Sequence, residues 1–205
     1  MKRRYFPAAL NVRGKRCLVI GSDTEAADKS QRLAESGALV TVISHGPPAP
    51  FAAARAAGVT IEERPYADAD IDDQFLVVLA IKTDPALTKA VADRCRARRV
   101  LLSAVDQPAF CDVVHVSLFE RGALQIAIST DGRAPALSRR LREELTRAFD
   151  GRPIEAFLDH LSAVREKLER EEPDLSERRR KLIAAAAGFR LDAAVRFPAD
   201  WPEPR

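Results

Sequence analysis

The stretch from Arg16 to Ser44 constrains the fold of this chain most, because it predicts a strand, a turn, a helix and a second strand in succession. Its first apolar run, Cys17 to Ile20, is rich in β-branched residues and typical of a buried strand. Residues 26–34 place alanine and leucine at helical spacings, Gly37 ends the helix, and Leu39 to Ile43 form the next strand. This order predicts a βαβ unit, the first half of a nucleotide-binding fold, with the ligand where the first strand meets the helix.

The turn between this strand and helix matches a dinucleotide-binding fingerprint at two of its three positions. The fingerprint is G-x-G-x-x-G/A, and the chain has Gly21, Asp23 and Ala26 at those positions. A glycine in the middle lets the backbone approach the pyrophosphate, whereas Asp23 brings a Cβ atom and a negative charge towards an anion. Ser44 and His45 follow the second strand, where an acidic residue would bind a ribose hydroxyl. The turn leaves dinucleotide binding open, since helix-terminal amides can still hold a phosphate.

Composition and charge limit the size class of this chain and the partners that it could have. The 205 residues suit one medium domain, or a domain with a helical extension, and 46% are hydrophobic. A net charge of +3, from 33 basic and 30 acidic residues, does not indicate a nucleic acid partner, although it could help to attract an acidic small molecule. No apolar run is long enough to cross a membrane, and the basic start lacks the apolar stretch of a signal peptide.

The three cysteines point to a reducing compartment. Cys17, Cys95 and Cys111 are widely separated and lack the spacing of a metal site. We therefore expect buried free thiols and a cytoplasmic protein.

The patterns along the rest of the chain predict three parts, 1–112, 113–150 and 151–205. The first is a Rossmann-like α/β domain with a parallel sheet, the second a strand–strand–helix segment, and the third a helical domain. Further strands are predicted at the ranges 5–12 (an edge strand), 59–63, 76–81, 100–105, 113–119 and 124–128. Helices are predicted over 51–57 and 85–99, from Pro135, over a stripe of apolar residues from Ile154, and up to Gly188 with Ser176 as a cap.

Two polar segments follow buried strands of the predicted sheet. Lys82-Thr83-Asp84-Pro85 stands at the carboxyl end of the strand over 76–81, and Asp106 follows the strand over 100–105. In an open parallel sheet the carboxyl ends of the strands form the ligand-binding edge. A carboxylate there could be a turn cap or a general acid/base.

Taken in order, the chain resembles the precorrin-2 dehydrogenase/sirohydrochlorin ferrochelatase family, the N-terminal part of siroheme synthase. The opening YFPAALNVRGKRCLVIG is similar to the first two strands of that family, and SAVDQPAFCD to its N-V-V-D-x-P stretch. The most specific segment is LFERGALQIAISTDGRAPALSRRLREEL, close to the family pattern D-R-G-x-L-x-I-A-I-S-T-G-G-x-S-P-x-L-A-R-x-L-R-E. The resemblance runs nearly from end to end.

The resemblance implies oxidation of precorrin-2 to sirohydrochlorin, with NAD as hydride acceptor, by a homodimer whose middle segment makes the subunit contact. In some members the same site also inserts iron. Asp106 matches the essential aspartate of the family, and Ser129 and Thr130 match a polar pair at the cleft. Arg133 could bind the carboxylates of the tetrapyrrole, because arginine suits bidentate carboxylate recognition. The positions expected to contact the dinucleotide are Gly21, Ser22, Asp23, Thr24, Glu25, His45, Gly46, Thr83 and Asp84.

The departures from the family pattern lie mostly on the nucleotide side. The G-G-G turn of the family is Gly21-Ser22-Asp23 here, its A-T-D-D is 81–84 (IKTD), and the asparagine of N-V-V-D is Ser103. A second hypothesis is therefore a chelatase that inserts Fe²⁺ or Co²⁺ into sirohydrochlorin without a redox step. A third is a tetrapyrrole-binding protein without catalysis. The sequence does not identify metal ligands.

Overall fold

The computed structural model describes residues 5–45 and 51–198 of the chain. The chain forms two compact units, Met1–His115 and Val116–Arg205. The first holds the predicted βαβ stretch, and the second holds the predicted strand–strand–helix segment and the helices after it.

The first unit is built on a five-stranded parallel sheet in the order β3-β2-β1-β4-β5. The strands are β1 (Arg16–Ile20), β2 (Leu39–Ser44), β3 (Thr60–Glu63), β4 (Leu76–Leu79) and β5 (Leu101–Ala104). The helices are α1 (Thr24–Glu35), α2 (Ala52–Ala56), α3 (Pro85–Arg98) and a short 3₁₀ helix (Asp68–Ile71). This architecture confirms the predicted Rossmann-like α/β fold.

Apolar clusters cover both faces of the sheet. Along β1, Val19 packs on one face with Ala26 of α1, and Leu18 packs on the other face with Val91 of α3. A parallel sheet buried on both faces needs continuous apolar strands rather than alternating ones, which explains the run Cys17 to Ile20. The three cysteines are buried and free, as predicted.

The second unit begins with an antiparallel hairpin and continues as helices. Its elements are β6 (Ser117–Arg121), β7 (Leu124–Ile128), α4 (Pro135–Ala148), α5 (Ile154–Glu171) and α6 (Leu175–Ala186). Phe119 of β6, Phe149 after α4 and Ile154 of α5 form its small buried cluster. The rings of Phe119 and Phe149 are 5.2 Å apart between centroids. The hairpin and helix α5 therefore contribute to the same cluster, although residue 150 was predicted to separate the middle segment from the helical domain.

Three local predictions were wrong. The described residues 5–12 form no strand. Pro7 lacks an N–H donor for pairing, and within this segment only Val12, its last residue, is buried. The hairpin starts at Ser117 rather than at residue 113, because the amides of Asp112 and Val113 bond to the carbonyl oxygen of Leu102 in β5.

The third concerns the start of the last helix. Asp174, not Ser176, caps α6, since its carboxylate accepts the N–H groups of Ser176 and Glu177 at 2.7 and 2.9 Å. Its carboxylate thus satisfies two donors of the first turn, which explains why the helix begins earlier than expected.

No helix in the described part of the chain is long and apolar enough to cross a membrane.

Candidate functional site

The candidate site lies at the carboxyl ends of β1, β4 and β5 in the first unit. The chain leaves β1 towards β2 on one side, and β4 lies on the other side of β1, so the strand order reverses between β1 and β4. Ligands of open α/β sheets bind at such a switch point. The turn at Gly21–Asp23, the segment 81–84 and the segment 105–107 follow these three strands.

Gly21 allows the turn after β1 to pass close to β4. Its φ is +154°, and a Cβ atom there would lie 2.9 Å from Cβ of Ala80 and 3.2 Å from Cβ of Ala26. Ala26 is itself fully buried. The outer two positions of the fingerprint therefore have the close packing that a dinucleotide turn requires, and in this respect the residues present fit NAD.

Asp23 is the N-cap of α1. Oδ1 of Asp23 accepts the N–H of Ala26 at 2.9 Å. Its carboxylate thus occupies one of the amides that could bind a phosphate and places a negative charge at the positive end of the helix. Ser22 is half-buried beside it, and Thr24 is exposed.

Lys82 bridges two carboxylates at this edge. Its Nζ lies 2.8 Å from Oε2 of Glu25, in the first turn of α1, and 2.8 Å from Oδ2 of Asp106, after β5. Hydrogen bonds to Asp106 and to Glu25 raise the pKa of Lys82 above its usual value, so the Lys82 ammonium group stays protonated at neutral pH. Lys82 was not among the predicted site residues.

Asp106 presents its carboxylate from an unusual backbone conformation. Its φ is +58°, in the left-handed region that few non-glycine residues adopt, and its side chain is 72% exposed. The next residue, Gln107, donates from Nε2 to the carbonyl oxygen of Ile81 at 3.2 Å. The segments after β4 and β5 are thus joined by this side-chain-to-backbone hydrogen bond and by the Lys82 bridge.

The other predicted nucleotide residues have separate surroundings. Asp84 caps α3, where Oδ1 accepts the N–H of Leu87 at 2.9 Å. Thr83 is exposed beside it, and His45 is exposed directly after β2. Gly46 lies outside the described residues. The structure therefore brings Glu25 and Asp106 together through Lys82, while Asp23 and Asp84 serve as helix caps.

The predicted substrate residues belong to the second unit, in the turn between β7 and α4. Oγ1 of Thr130 accepts the N–H of Ala134 at 3.1 Å, and Oγ of Ser129 accepts the N–H of Asp131 at 3.2 Å. The N–H of Arg133 donates to the carbonyl oxygen of Thr130 at 3.0 Å. The polar pair thus organises this turn, and the Arg133 side chain remains exposed.

Among residues 5–45 and 51–198, no group of three or more His, Cys, Asp and Glu residues could hold a metal ion. A metal inserted into a tetrapyrrole would be a substrate rather than a resident cofactor of such a protein.

Two family profiles match the chain. The family described as putative NAD(P)-binding matches residues 8–117. The family described as sirohaem biosynthesis protein central matches residues 121–148.

Two curated relatives match 95% and 69% of the chain. The siroheme synthase of Thioalkalivibrio sulfidiphilus (strain HL-EbGR7) is 35% identical over 198 residues, which cover 95% of this chain and 34% of the relative. That of Pseudomonas fluorescens (strain Pf0-1) is 37% identical over 143 residues, which cover 69% of this chain and 31% of the relative. The chain therefore spans about a third of the length of the curated relatives it matches.

A solved structure has the same fold. It is described as SirC, a precorrin-2 dehydrogenase, and it superposes with a TM-score of 0.70 and 22% identity over 88% of each chain.

Proposed function

The chain belongs to the precorrin-2 dehydrogenase/sirohydrochlorin ferrochelatase (siroheme synthase N-terminal-like) family, and we propose that it oxidises precorrin-2 to sirohydrochlorin in siroheme biosynthesis. The reaction converts precorrin-2 and NAD⁺ into sirohydrochlorin, NADH and one proton. The observation that carries the proposal is the exposed Asp106 carboxylate, held at the carboxyl edge of the sheet by Lys82, which also pairs with Glu25 in the first turn of α1.

The residues at this edge supply binding and proton transfer. Bound NAD would supply the acceptor for the hydride that leaves the tetrapyrrole. Asp106 takes the proton lost in the same oxidation, because a carboxylate within reach of the reacting carbon acts as a general base. The N-terminal amides of α1, which follows the closely packed turn at Gly21, would bind the pyrophosphate.

We assign the remaining predicted residues to the two ligands. The dinucleotide site comprises Gly21, Ser22, Asp23, Thr24, Glu25, His45, Gly46, Thr83 and Asp84. Ser129, Thr130 and Arg133 bind the tetrapyrrole, whose carboxylates suit an exposed guanidinium.

The active form in this proposal is a homodimer in the cytoplasm, with the segment 113–150 at the subunit contact. Two leucines support it: Leu137 is 52% exposed and Leu141 is 43% exposed, one turn apart on α4. A partner subunit that covered this pair would remove both apolar side chains from water. The buried free thiols suit a reducing compartment.

One observation favours a second function, the insertion of Fe²⁺ or Co²⁺ into sirohydrochlorin. The Asp23 carboxylate occupies the Ala26 amide and opposes the charge of a pyrophosphate. Asp106 could then deprotonate the pyrrole nitrogens instead of a carbon, and no dinucleotide would be needed.

The test is an anaerobic assay of the purified full-length chain with precorrin-2, with and without NAD⁺. Sirohydrochlorin and NADH should appear together, in equal amounts and only when NAD⁺ is present. A parallel assay follows the absorbance of sirohydrochlorin with Co²⁺. Metal insertion without NAD-dependent oxidation would replace the first function by the second.

A further inference from the structure

We propose that Lys82 is a positioning residue: it fixes the direction of the Asp106 carboxylate and joins it to the first turn of α1. The inference rests on the proposed role of Asp106 and adds a residue that neither the fingerprint nor the family resemblance assigns. Its basis is the bridge from Lys82 to Glu25 and Asp106, which connects the segments after β4 and β5 with helix α1.

Asp106 needs such a partner because its own surroundings hold it weakly. With 72% of the side chain exposed, little packing restricts its rotamers. Among the described residues, the side-chain partner of Asp106 is Lys82, at 2.8 Å from Oδ2. The bond from Gln107 to Ile81 fixes the neighbouring backbone but leaves the Asp106 carboxylate free to turn.

Lys82 is suited to this task by its charge and its two anchors. An ammonium group has three N–H donors, and the carboxylates of Glu25 and Asp106 take two of them. Glu25 stands in α1, whose first turn packs beside β1, so it fixes the end of the long lysine side chain. One oxygen of Asp106 is thereby occupied, and the other oxygen is available to accept a proton.

The bridge also offsets negative charge at the edge. Four carboxylates lie in the first unit at the start of α1, at the start of α3 and after β5: Asp23, Glu25, Asp84 and Asp106. Lys82 places its positive charge between two of them. Because the ion pairs are partly exposed, their contribution to folding stability is small, and the effect of Lys82 should appear in turnover instead.

The test compares Lys82→Met, which keeps the length of the side chain and removes its charge, with Lys82→Arg, which keeps the charge. We expect Lys82→Met to lower kcat about tenfold or more while the KM values for NAD and precorrin-2 stay within about threefold, because a misdirected catalytic group slows the chemical step. Lys82→Arg should recover most of the lost rate. Lys89→Met is the matched control, since Lys89 pairs with Asp93 on the exposed side of α3, and its kcat should equal that of the unchanged protein.

An unchanged kcat in Lys82→Met would overturn the inference, and so would a defect confined to the KM for NAD, which would make Lys82 a dinucleotide ligand instead. Thermal unfolding of each variant verifies that it folds, and the 39% exposure of Lys82 makes a folding defect unexpected.

A second readout does not depend on the proposed reaction. Crystal structures of the unchanged protein and of Lys82→Met should show the Asp106 carboxylate turned away from its original direction in the variant. If the unchanged protein fails to oxidise precorrin-2, the proposed function falls, and these structures still decide the role of Lys82. An Asp106 carboxylate in the same place in both would overturn the inference whatever the enzyme does.

Discussion

The turn after β1 and the segment after β5 each carry an aspartate at the same edge of the sheet, and they use it in opposite ways. Asp23 directs its carboxylate onto the backbone of its own helix, where it accepts the N–H of Ala26. Asp106 stands on a left-handed backbone, keeps its side chain exposed and is held by a side-chain cation. The first carboxylate stabilises the fold, and the second is available to a ligand.

This difference shows that position at a ligand-binding edge does not by itself assign a role to a carboxylate. Asp84 illustrates the point again, because it stands at the edge and caps α3. What separates Asp106 from both is a left-handed backbone together with a charged side-chain partner, and strained backbone of this kind clusters at functional sites. The following substitutions test this distinction.

Replacing Asp106 by alanine should have the largest effect on function. We expect kcat for precorrin-2 oxidation to fall by about 100-fold or more, because general acid/base groups contribute that much to the rate. The melting temperature should fall slightly, because alanine tolerates the left-handed backbone less well than aspartate, while the lost ion pair is exposed and contributes little. Steady-state kinetics and calorimetry measure the two quantities.

Asp106→Asn is the companion variant, because it keeps the size and the tolerance for a left-handed backbone but cannot accept the proton. It should be as inactive as the alanine variant. Full activity in either variant would remove Asp106 from the mechanism. The difference between Asp23 and Asp106 would then have no bearing on catalysis.

Replacing Asp23 by glycine should have a smaller effect, and one that increases binding. The change frees the Ala26 amide and removes a negative charge from the positive end of α1. We expect NAD to bind about tenfold more tightly or better, which corresponds to about 1.4 kcal/mol. Helix stability should fall by only a few tenths of a kcal/mol, roughly the difference between an aspartate and a glycine cap.

Isothermal calorimetry measures this change directly. Asp174→Gly is the matched control, because Asp174 caps α6 in the second unit with the same chemistry. It should alter the melting temperature by a similar amount and leave NAD affinity unchanged. If Asp23→Gly binds NAD no better than the unchanged protein, Asp23 does not compete with the phosphates, and the main physical argument for the chelatase alternative is lost.

Much of the fold was predictable from local patterns, and the site was predictable only in part. The continuous run Cys17 to Ile20 has one favourable place, the middle of a sheet covered on both faces, and it forms β1 there. The capping role of Asp23 also follows from sequence, because an N-cap needs only the amides of its own helix. Local signals therefore located both elements.

Lys82 was missed because its role depends on contacts between distant segments. Glu25 lies 57 positions before it and Asp106 lies 24 positions after it, and only the strand order brings the three together. The polar segment after β4 and the expected order of strands were the available signal. For the same reason, residue 113 was assigned to the hairpin although its amide bonds to the carbonyl oxygen of Leu102 in β5.

Replacing Asp23 by asparagine should have the smallest effect and separates the two ways in which Asp23 opposes NAD. Asparagine caps helices about as well as aspartate, so its side-chain oxygen still accepts the Ala26 N–H and only the charge is lost. We expect NAD to bind about threefold more tightly than in the unchanged protein, within the range of about 0.3–1 kcal/mol for a charge at a helix end. Because Asp23 is exposed, salt should screen this charge, and the gain in NAD affinity should shrink as the ionic strength rises.

Calorimetric titration at low and high salt measures the change in NAD affinity, and the melting temperature should not move. An asparagine variant that matches the glycine variant would mean that charge accounts for the whole effect. One that binds NAD like the unchanged protein at low salt would show that the occupied amide, rather than the charge, is what the dinucleotide must displace.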